Sequence, residues 1–177
     1  QFPQGLQYCS IIDPMVGKGD LLNAVVAKAT KNVQMLGVEI DKPVAVACQK
    51  RLPQAKIICE DAFQSKAVIT EKGWDLVITN PPYVRYQLQN DDNSVMPTGN
   101  AIRDNLFTLL NKLSYLDVEE KQLLLQITRN YSGLSDMAVP SWILCASLVK
   151  AGGILAMVVP ETWLNREYAK PIQYLLL

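Results

Sequence analysis

Five short apolar runs recur along the chain, each bounded by polar or turn-forming residues. They cover residues 8–12, 33–40, 55–59, 74–79 and 153–159. Apolar and polar positions do not alternate within these runs, which indicates strands that are covered on both faces.

Helical spacing of apolar positions fills most of the segments between the strands. Residues 21–30 predict a first helix with Asp20 as its N-cap, and residues 41–52 predict a second helix with Asp41 as its N-cap and Pro43 in its first turn. Residues 63–72 show no clear pattern. Residues 136–150 predict a later helix that stops at Ala-Gly-Gly, with glycine in the left-handed conformation.

This alternation of strands and helices predicts an α/β fold with a doubly wound parallel sheet in strand order 3-2-1-4-5, since parallel strands are joined by right-handed crossovers. Residues 84–135 interrupt the alternation. They begin irregularly and then predict two helices, within 105–116 and 118–131. The segment carries five basic and six acidic residues, so we interpret it as a helical insertion with apolar faces and not as a basic clamp.

Composition disfavours several classes of function. Lysine plus arginine and aspartate plus glutamate both number 17, so the formal charge is zero and lacks the basic surplus of most nucleic-acid-binding domains. The absence of histidine excludes histidine-based acid–base catalysis and most zinc sites. The four cysteines form no CxxC pair and lie in apolar runs, which predicts buried free thiols, no metal and a cytoplasmic location. No run is long enough to span a bilayer, so no membrane partner is expected.

The loop after the first strand, "DPMVGKGD", combines an acid with two glycines. Gly17 and Gly19 allow a tight turn and a close approach of the backbone to a ligand. The loop has a single GxG and lacks the full GxGxxG pattern of dinucleotide sites. Asp13 at the strand end suits an ammonium group better than a pyrophosphate. An ordinary strand-to-helix turn explains the loop almost equally well.

The next two strands also end in acids. Glu39 lies about 20 residues beyond the glycines, where a carboxylate of nucleotide-binding sheets accepts from both ribose hydroxyls, and Ile40 is expected against the adenine face. Asp61 is predicted to accept from the adenine amine, while the Ala62 N–H donates to a ring nitrogen. An ammonium group, a diol and an adenine without phosphates indicate S-adenosylmethionine as cofactor.

The fourth strand runs directly into "TNPPYV". The side-chain carbonyl of Asn80 and the main-chain carbonyl of Pro81 could accept hydrogen bonds from an amine that becomes positive as it attacks a methyl group. Pro81 and Pro82 hold the backbone rigidly. The ring of Tyr83 offers a flat face for a planar base or amide.

"DPMVGKG", "GVEID", "CEDAF" and "DLVITNPPYV" together resemble the ordered motifs of S-adenosylmethionine-dependent amino-methyltransferases. The similarity is greatest to N6-adenine DNA methyltransferases of the Eco57I type, including "SGLSDMAVPSWILCASLVKAGGILAMVVPETWLN" after the insertion. It covers most of the chain except residues 86–130.

The resemblance implies a Rossmann-like class I methyltransferase catalytic domain over residues 1–177. It implies a catalytic set and a cofactor set: Asn80, Pro81, Pro82 and Tyr83; and Asp13, Pro14, Gly17, Gly19, Glu39, Ile40, Asp61 and Ala62. Val16 and Lys18 depart from the small residue and the Ser or Thr usual in the family.

The family pattern continues with two further strands and a target-recognition domain that are absent here, so a fragment of a larger bacterial or archaeal protein is expected. Double-stranded DNA would then be bound through regions outside residues 1–177, and a specificity or restriction subunit is a possible partner. Residues 1–177 alone are not expected to methylate DNA. Three alternatives share parts of the pattern: a glutamine methyltransferase of peptide-release factors, a ribosomal-RNA guanine-N2 methyltransferase, and an inactive fold that serves as a subunit scaffold.

Overall fold

A five-stranded, all-parallel sheet forms the centre of the structure, a computed structural model that describes residues 10–28, 33–82, 99–131 and 137–161. The strand order is β3-β2-β1-β4-β5. In chain order the strands are β1 (Ser10–Asp13), β2 (Gln34–Glu39), β3 (Lys56–Cys59), β4 (Trp74–Thr79) and β5 (Val149–Met157). The predicted α/β fold class and strand order are therefore confirmed.

Helices cover both faces of this sheet. They are α1 (Asp20–Val26), α2 (Lys42–Arg51), α3 (Gly99–Lys112), α4 (Val118–Asn130) and α5 (Ala138–Leu148), with a short 3-10 turn at Lys66–Val68. Successive strand residues point to opposite faces. Ile11 and Leu76 accordingly pack with α1 and α2, whereas Ile12 and Val77 pack with α3, α4 and α5.

The caps of the first two helices differ from each other. Asp41 caps α2 as predicted, because its side chain accepts a hydrogen bond from the Val44 N–H at 2.9 Å. The predicted cap of α1 is wrong. Gly19 occupies the N-cap with φ +83°, and Asp20 is the first helical residue and pairs with Arg51 at 2.5 Å. A positive φ at the cap favours glycine, which places the aspartate one position later.

The junction between α5 and β5 corrects a second boundary. The helix ends at Leu148, four residues before Gly152 of the predicted Ala-Gly-Gly stop. The strand β5 begins directly afterwards, at Val149. Gly152 has φ +71° but lies in a bulge, because the partners of Trp74 and Leu76 on β5 are Val149 and Ile154. An ion pair between Lys150 and Asp75 holds this early part of β5 against β4.

The predicted helices of the insertion are present as α3 and α4. Asp117 and Glu120 form a capping box at the start of α4. The Arg103 guanidinium of α3 donates to the Tyr131 carbonyl at 2.9 Å and lies 4.8 Å from the Tyr131 ring centre, which joins the two helices. Their apolar faces share one core with α5 and the sheet, so both helices are integral layers of the domain. The limits of the insertion remain a prediction, because residues 83–98 and 132–136 lie outside the described parts.

The cysteine prediction is correct for two residues and wrong for one. Cys48 and Cys145 are buried free thiols, whereas Cys59 is exposed at the end of the outermost strand β3. Cys9 lies outside the described residues. Within the described part of the chain, no helix has the length and apolar character that a membrane span requires.

Candidate active site

A cavity of about 330 Å³ opens at the carboxyl ends of the strands, the edge where open parallel sheets bind ligands. Loops after the first four strands and the start of α5 line it. The lining residues are Pro14, Met15, Gly17, Val38, Glu39, Ile40, Glu60, Asp61, Ala62, Phe63, Asn80, Pro82 and Met137. Most of the predicted cofactor and catalytic residues therefore meet in one place.

The glycine loop is held against β2 by its own backbone. The Val16 N–H donates to the Val38 carbonyl at 2.9 Å, and Gly17 has φ +52°. A Cβ on Gly37 would lie 3.0 Å from Val16 and 2.8 Å from Ile57. The missing side chain at Gly37 thus makes room for the valine that replaces the family's usual small residue.

Glu39 fastens this loop to the end of β2. Its two carboxylate oxygens accept from different backbone N–H groups, Gly17 at 3.0 Å and Asp41 at 2.9 Å. A carboxylate has about four acceptor positions, so each oxygen keeps capacity for one more donor. This geometry suits a vicinal diol, as predicted for Glu39.

Asp61 and Ala62 form the far wall. The Asp61 carboxylate accepts from the Phe63 N–H at 2.9 Å and from the Gln64 side chain at 3.2 Å, and burial raises its pKa. The Ala62 N–H has no acceptor among the described residues, although it borders the cavity. One acceptor and one donor therefore lie side by side, the pair that an adenine edge requires. Ile40 supplies an apolar wall.

Asp13 does not behave as predicted. Its side chain is only 1% exposed and does not border the cavity, so the expected contact with a ligand ammonium group does not fit this arrangement. The carboxylate instead accepts from the Met15 N–H at 3.1 Å inside the loop. Burial raises the pKa of Asp13 to about 7, although the Thr79 side chain and the Met15 N–H favour the charged form. The neighbouring Pro14 does border the cavity.

The end of β4 brings the predicted catalytic residues to the cavity. Asn80 and Pro82 border it, while Pro81 is buried between them. The Thr79 carbonyl accepts from the Val158 N–H at 3.0 Å, which fixes the strand end just before Asn80. Tyr83 lies outside the described residues.

Sequence reasoning missed five lining residues, which are Met15, Val38, Glu60, Phe63 and Met137. Glu60 directly follows β3, so its place at a strand end could have indicated it. Met137 lies at the start of α5, where its carbonyl accepts from the Ser141 hydroxyl at 2.5 Å, and that hydroxyl oxygen lies 3.4 Å from the Met15 sulfur. No local pattern joins residues more than a hundred positions apart.

The charged side chains that line the cavity are all acidic. Among the residues that the structure describes, its lining contains three carboxylates and neither lysine nor arginine. Across the described residues, no group of three His, Cys, Asp or Glu side chains could hold a metal ion. The cavity therefore favours a ligand that carries positive charge and hydroxyl or amino groups over one that carries phosphates.

A family model described as "Eco57I restriction-modification methylase" matches residues 39–177. The chain belongs to this family. The match includes Glu39, Asp61 and Asn80, whereas the glycine loop precedes it. The predicted family is thus confirmed. The sequence matches no curated protein.

Solved structures share the fold of this Eco57I-family chain. A class I S-adenosylmethionine-dependent methyltransferase from Listeria monocytogenes, so titled, superimposes with a TM-score of 0.63 at 17% identity, over 98% of this chain and 46% of that one. An S-adenosylmethionine-dependent O-methyltransferase from Thermotoga maritima gives a TM-score of 0.46 at 17% identity, over 93% and 43% of the two chains. The chain spans less than half the length of either structure, and the first confirms the class I methyltransferase fold.

Proposed function

We propose that this chain is the catalytic part of an S-adenosylmethionine-dependent methyltransferase that modifies the N6 amine of adenine in DNA, within a restriction–modification or related defence system. Membership of the Eco57I family supports the reaction and the substrate. The observation that carries the proposal is the single cavity where Glu39, Asp61 and Asn80 meet.

The cavity fits S-adenosylmethionine by its donor set. Glu39 keeps acceptor capacity for the two ribose hydroxyls while it holds the glycine loop through Gly17. Asp61 and the Ala62 N–H match an adenine edge. Three carboxylates without a basic neighbour would repel a dinucleotide and attract a ligand that carries ammonium and sulfonium charges. The volume of about 330 Å³ is in the range of small-molecule sites, about 300–1,000 Å³.

When bound, this cofactor supplies an electrophilic methyl group on sulfur. The chain's own part is to position the amine in line with that group and to accept hydrogen bonds from its N–H groups as positive charge develops. Asn80 and the carbonyl of Pro81 serve as those acceptors, and the buried Pro81 and the strand end fixed through Thr79 keep them in place. Tyr83 stacks on the extruded base, as the family resemblance implies.

Two experiments on the full-length protein test the proposal in turn. Calorimetry with S-adenosylhomocysteine tests the cavity, and Glu39→Gln is expected to weaken binding while Glu71→Gln, an exposed acid outside the cavity, is not. Transfer of a labelled methyl group is then compared on duplex DNA, ribosomal RNA and peptide-release factor. N6-methyladenine in the DNA supports the proposal, and label only in RNA or on release-factor glutamine refutes the assigned substrate.

A further inference from the structure

A second cavity, of about 170 Å³, lies beside the first and shares Phe63 with it. One wall is the segment after β3, with Gln64, Ser65, Lys66 and Ile69. The other wall is α3, which contributes Asn105, Thr108, Leu109 and Lys112. No part of the proposed cofactor chemistry uses this cavity.

The chemistry of its lining is the reverse of that in the first cavity. Two lysines, Lys66 and Lys112, border it from opposite walls, and none of its described lining residues carries a carboxylate. The α3 residues are spaced i, i+3, i+4 and i+7, so they share one helix face. That face carries the polar side chains of Asn105, Thr108 and Lys112. A helix face that only packs against a neighbouring segment is usually apolar.

The amide of Asn105 is a second polar feature of the α3 wall. Its Nδ2 atom is fully buried and has no hydrogen-bond partner in the described structure. Buried donors are almost always paired, because an unpaired one loses its hydrogen bonds to water without replacement. This unpaired amide adds positive potential to the α3 wall, and a ligand with acceptor oxygens in the cavity would pair with both lysines.

We infer that this second cavity is a phosphate subsite, which holds a backbone phosphate of the nucleic-acid substrate beside the cofactor cavity through Lys66 and Lys112, with the Asn105 amide beside them. The inference rests on the proposed nucleic-acid substrate. Phosphate oxygens accept from ammonium and amide donors alike. Because both cavities share Phe63, a phosphate held here would lie beside the cofactor cavity.

The test is the salt dependence of duplex DNA binding by the full-length protein, measured by fluorescence anisotropy. Each lost phosphate contact lowers the slope of log K against log salt by about 0.9. The double variant Lys66→Gln/Lys112→Gln is expected to lower the slope by about one and to weaken binding tenfold or more at low salt. The matched control, Lys28→Gln/Lys50→Gln, removes the same charge from exposed sites in the α1 and α2 layer on the opposite face.

Asn105→Asp provides a second variant, because it adds negative charge at the buried amide, and it is expected to weaken DNA binding at least as much. Thermal unfolding confirms that each variant is folded. Equal slopes for the double variant and its control would overturn the inference. Calorimetry with inorganic phosphate separates the sources of the anion: phosphate binding that requires both lysines, with DNA binding unchanged, would also overturn the assignment to a nucleic-acid backbone.

The experiments distinguish a failure of the phosphate subsite from a failure of the proposed methyl transfer. S-adenosylhomocysteine binding should be the same in the double variant and in the wild type, because neither lysine borders the first cavity. DNA binding that depends on Lys66 and Lys112, in a protein that transfers no methyl group to adenine, would support the phosphate subsite and refute only the reaction.

Discussion

Glu39→Gln is the sharpest test of the cofactor cavity, because the change alters only one group of atoms. In the wild type, both side-chain oxygens accept from backbone donors, Gly17 at 3.0 Å and Asp41 at 2.9 Å. Glutamine has a single acceptor oxygen, and its amide nitrogen must then face one of these two N–H groups. The isosteric substitution therefore replaces a hydrogen bond by a donor–donor contact, whichever way the amide turns.

The ligand loses contacts for the same reason. Two ribose hydroxyls need two acceptor oxygens, and glutamine leaves one, without the negative charge. Hydrogen bonds to charged groups contribute about 1.5–3 kcal/mol, so the affinity for S-adenosylhomocysteine should fall roughly 10- to 150-fold. Loosening of the Gly17 loop adds to this loss, while the half-buried position of Glu39 keeps the effect on folding near 1 kcal/mol.

Isothermal titration calorimetry measures the affinity, and urea unfolding without ligand measures the folded state. Glu71→Gln is the control for the loss of one negative charge, because Glu71 is exposed and remote from the cavity lining. Glu39→Gln that binds S-adenosylhomocysteine within twofold of the wild type would refute the role of Glu39 in ribose binding. A large loss accompanied by unfolding of the free protein would make the residue structural.

Six further substitutions at five positions test other roles. Asn80→Ala should slow single-turnover methyl transfer by about a hundredfold or more with nearly unchanged cofactor affinity, because its carbonyl acts as the amine becomes positive; parallel loss of calorimetric binding would make it structural. Tyr83→Ala should be severe and Tyr83→Phe mild, with smaller losses on mispaired adenine; equal losses on paired and mispaired DNA would contradict base flipping. Gly19→Ala should destabilise the fold by roughly 2 kcal/mol or more in urea, because a Cβ would lie 2.6 Å from a leucine carbon at φ +83°, whereas Gly17→Ala meets no atom within 4 Å and should cost about 1 kcal/mol. Asp13→Asn should be more stable than the wild type by roughly 2–4 kcal/mol at pH 8 and little different at pH 4: burial raises the folded-state pKa from 3.8 to about 7, so wild-type stability falls as pH rises through that interval, and a flat difference in urea unfolding would refute this.

Sequence patterns predicted the strands and the convergence of their ends because both follow from periodicity and from parallel topology. Glu39, Asp61 and Asn80 needed no further information. The direction in which a strand-end side chain points could not be predicted from these patterns. Asp13 ends a central strand just as Glu39 ends its neighbour, yet its carboxylate turns into the loop and accepts from Met15. Which way such a group turns depends on packing around it, and a one-dimensional pattern does not contain that packing.

Residues supplied by distant segments were also beyond prediction. Met137 reaches the first cavity from α5, and the second cavity joins the loop after β3 to a helix about forty residues later. The polar face of α3 is visible in the sequence only as a helix with mixed residues at i, i+3, i+4 and i+7. Only the structure shows that this face and Lys66 line the same cavity.

The formal charge of the whole chain does not describe the charge at either cavity. A net charge of zero was taken to disfavour nucleic-acid contact within residues 1–177. Salt-dependent binding, however, depends on cations placed within a Debye length of phosphates, about 8–10 Å at moderate salt, and not on the sum over the chain. Here the carboxylates of the first cavity and the lysines of the second are separated by Phe63. Both sets of charges enter one total, although each set lines its own cavity, so the total predicts the charge at neither site.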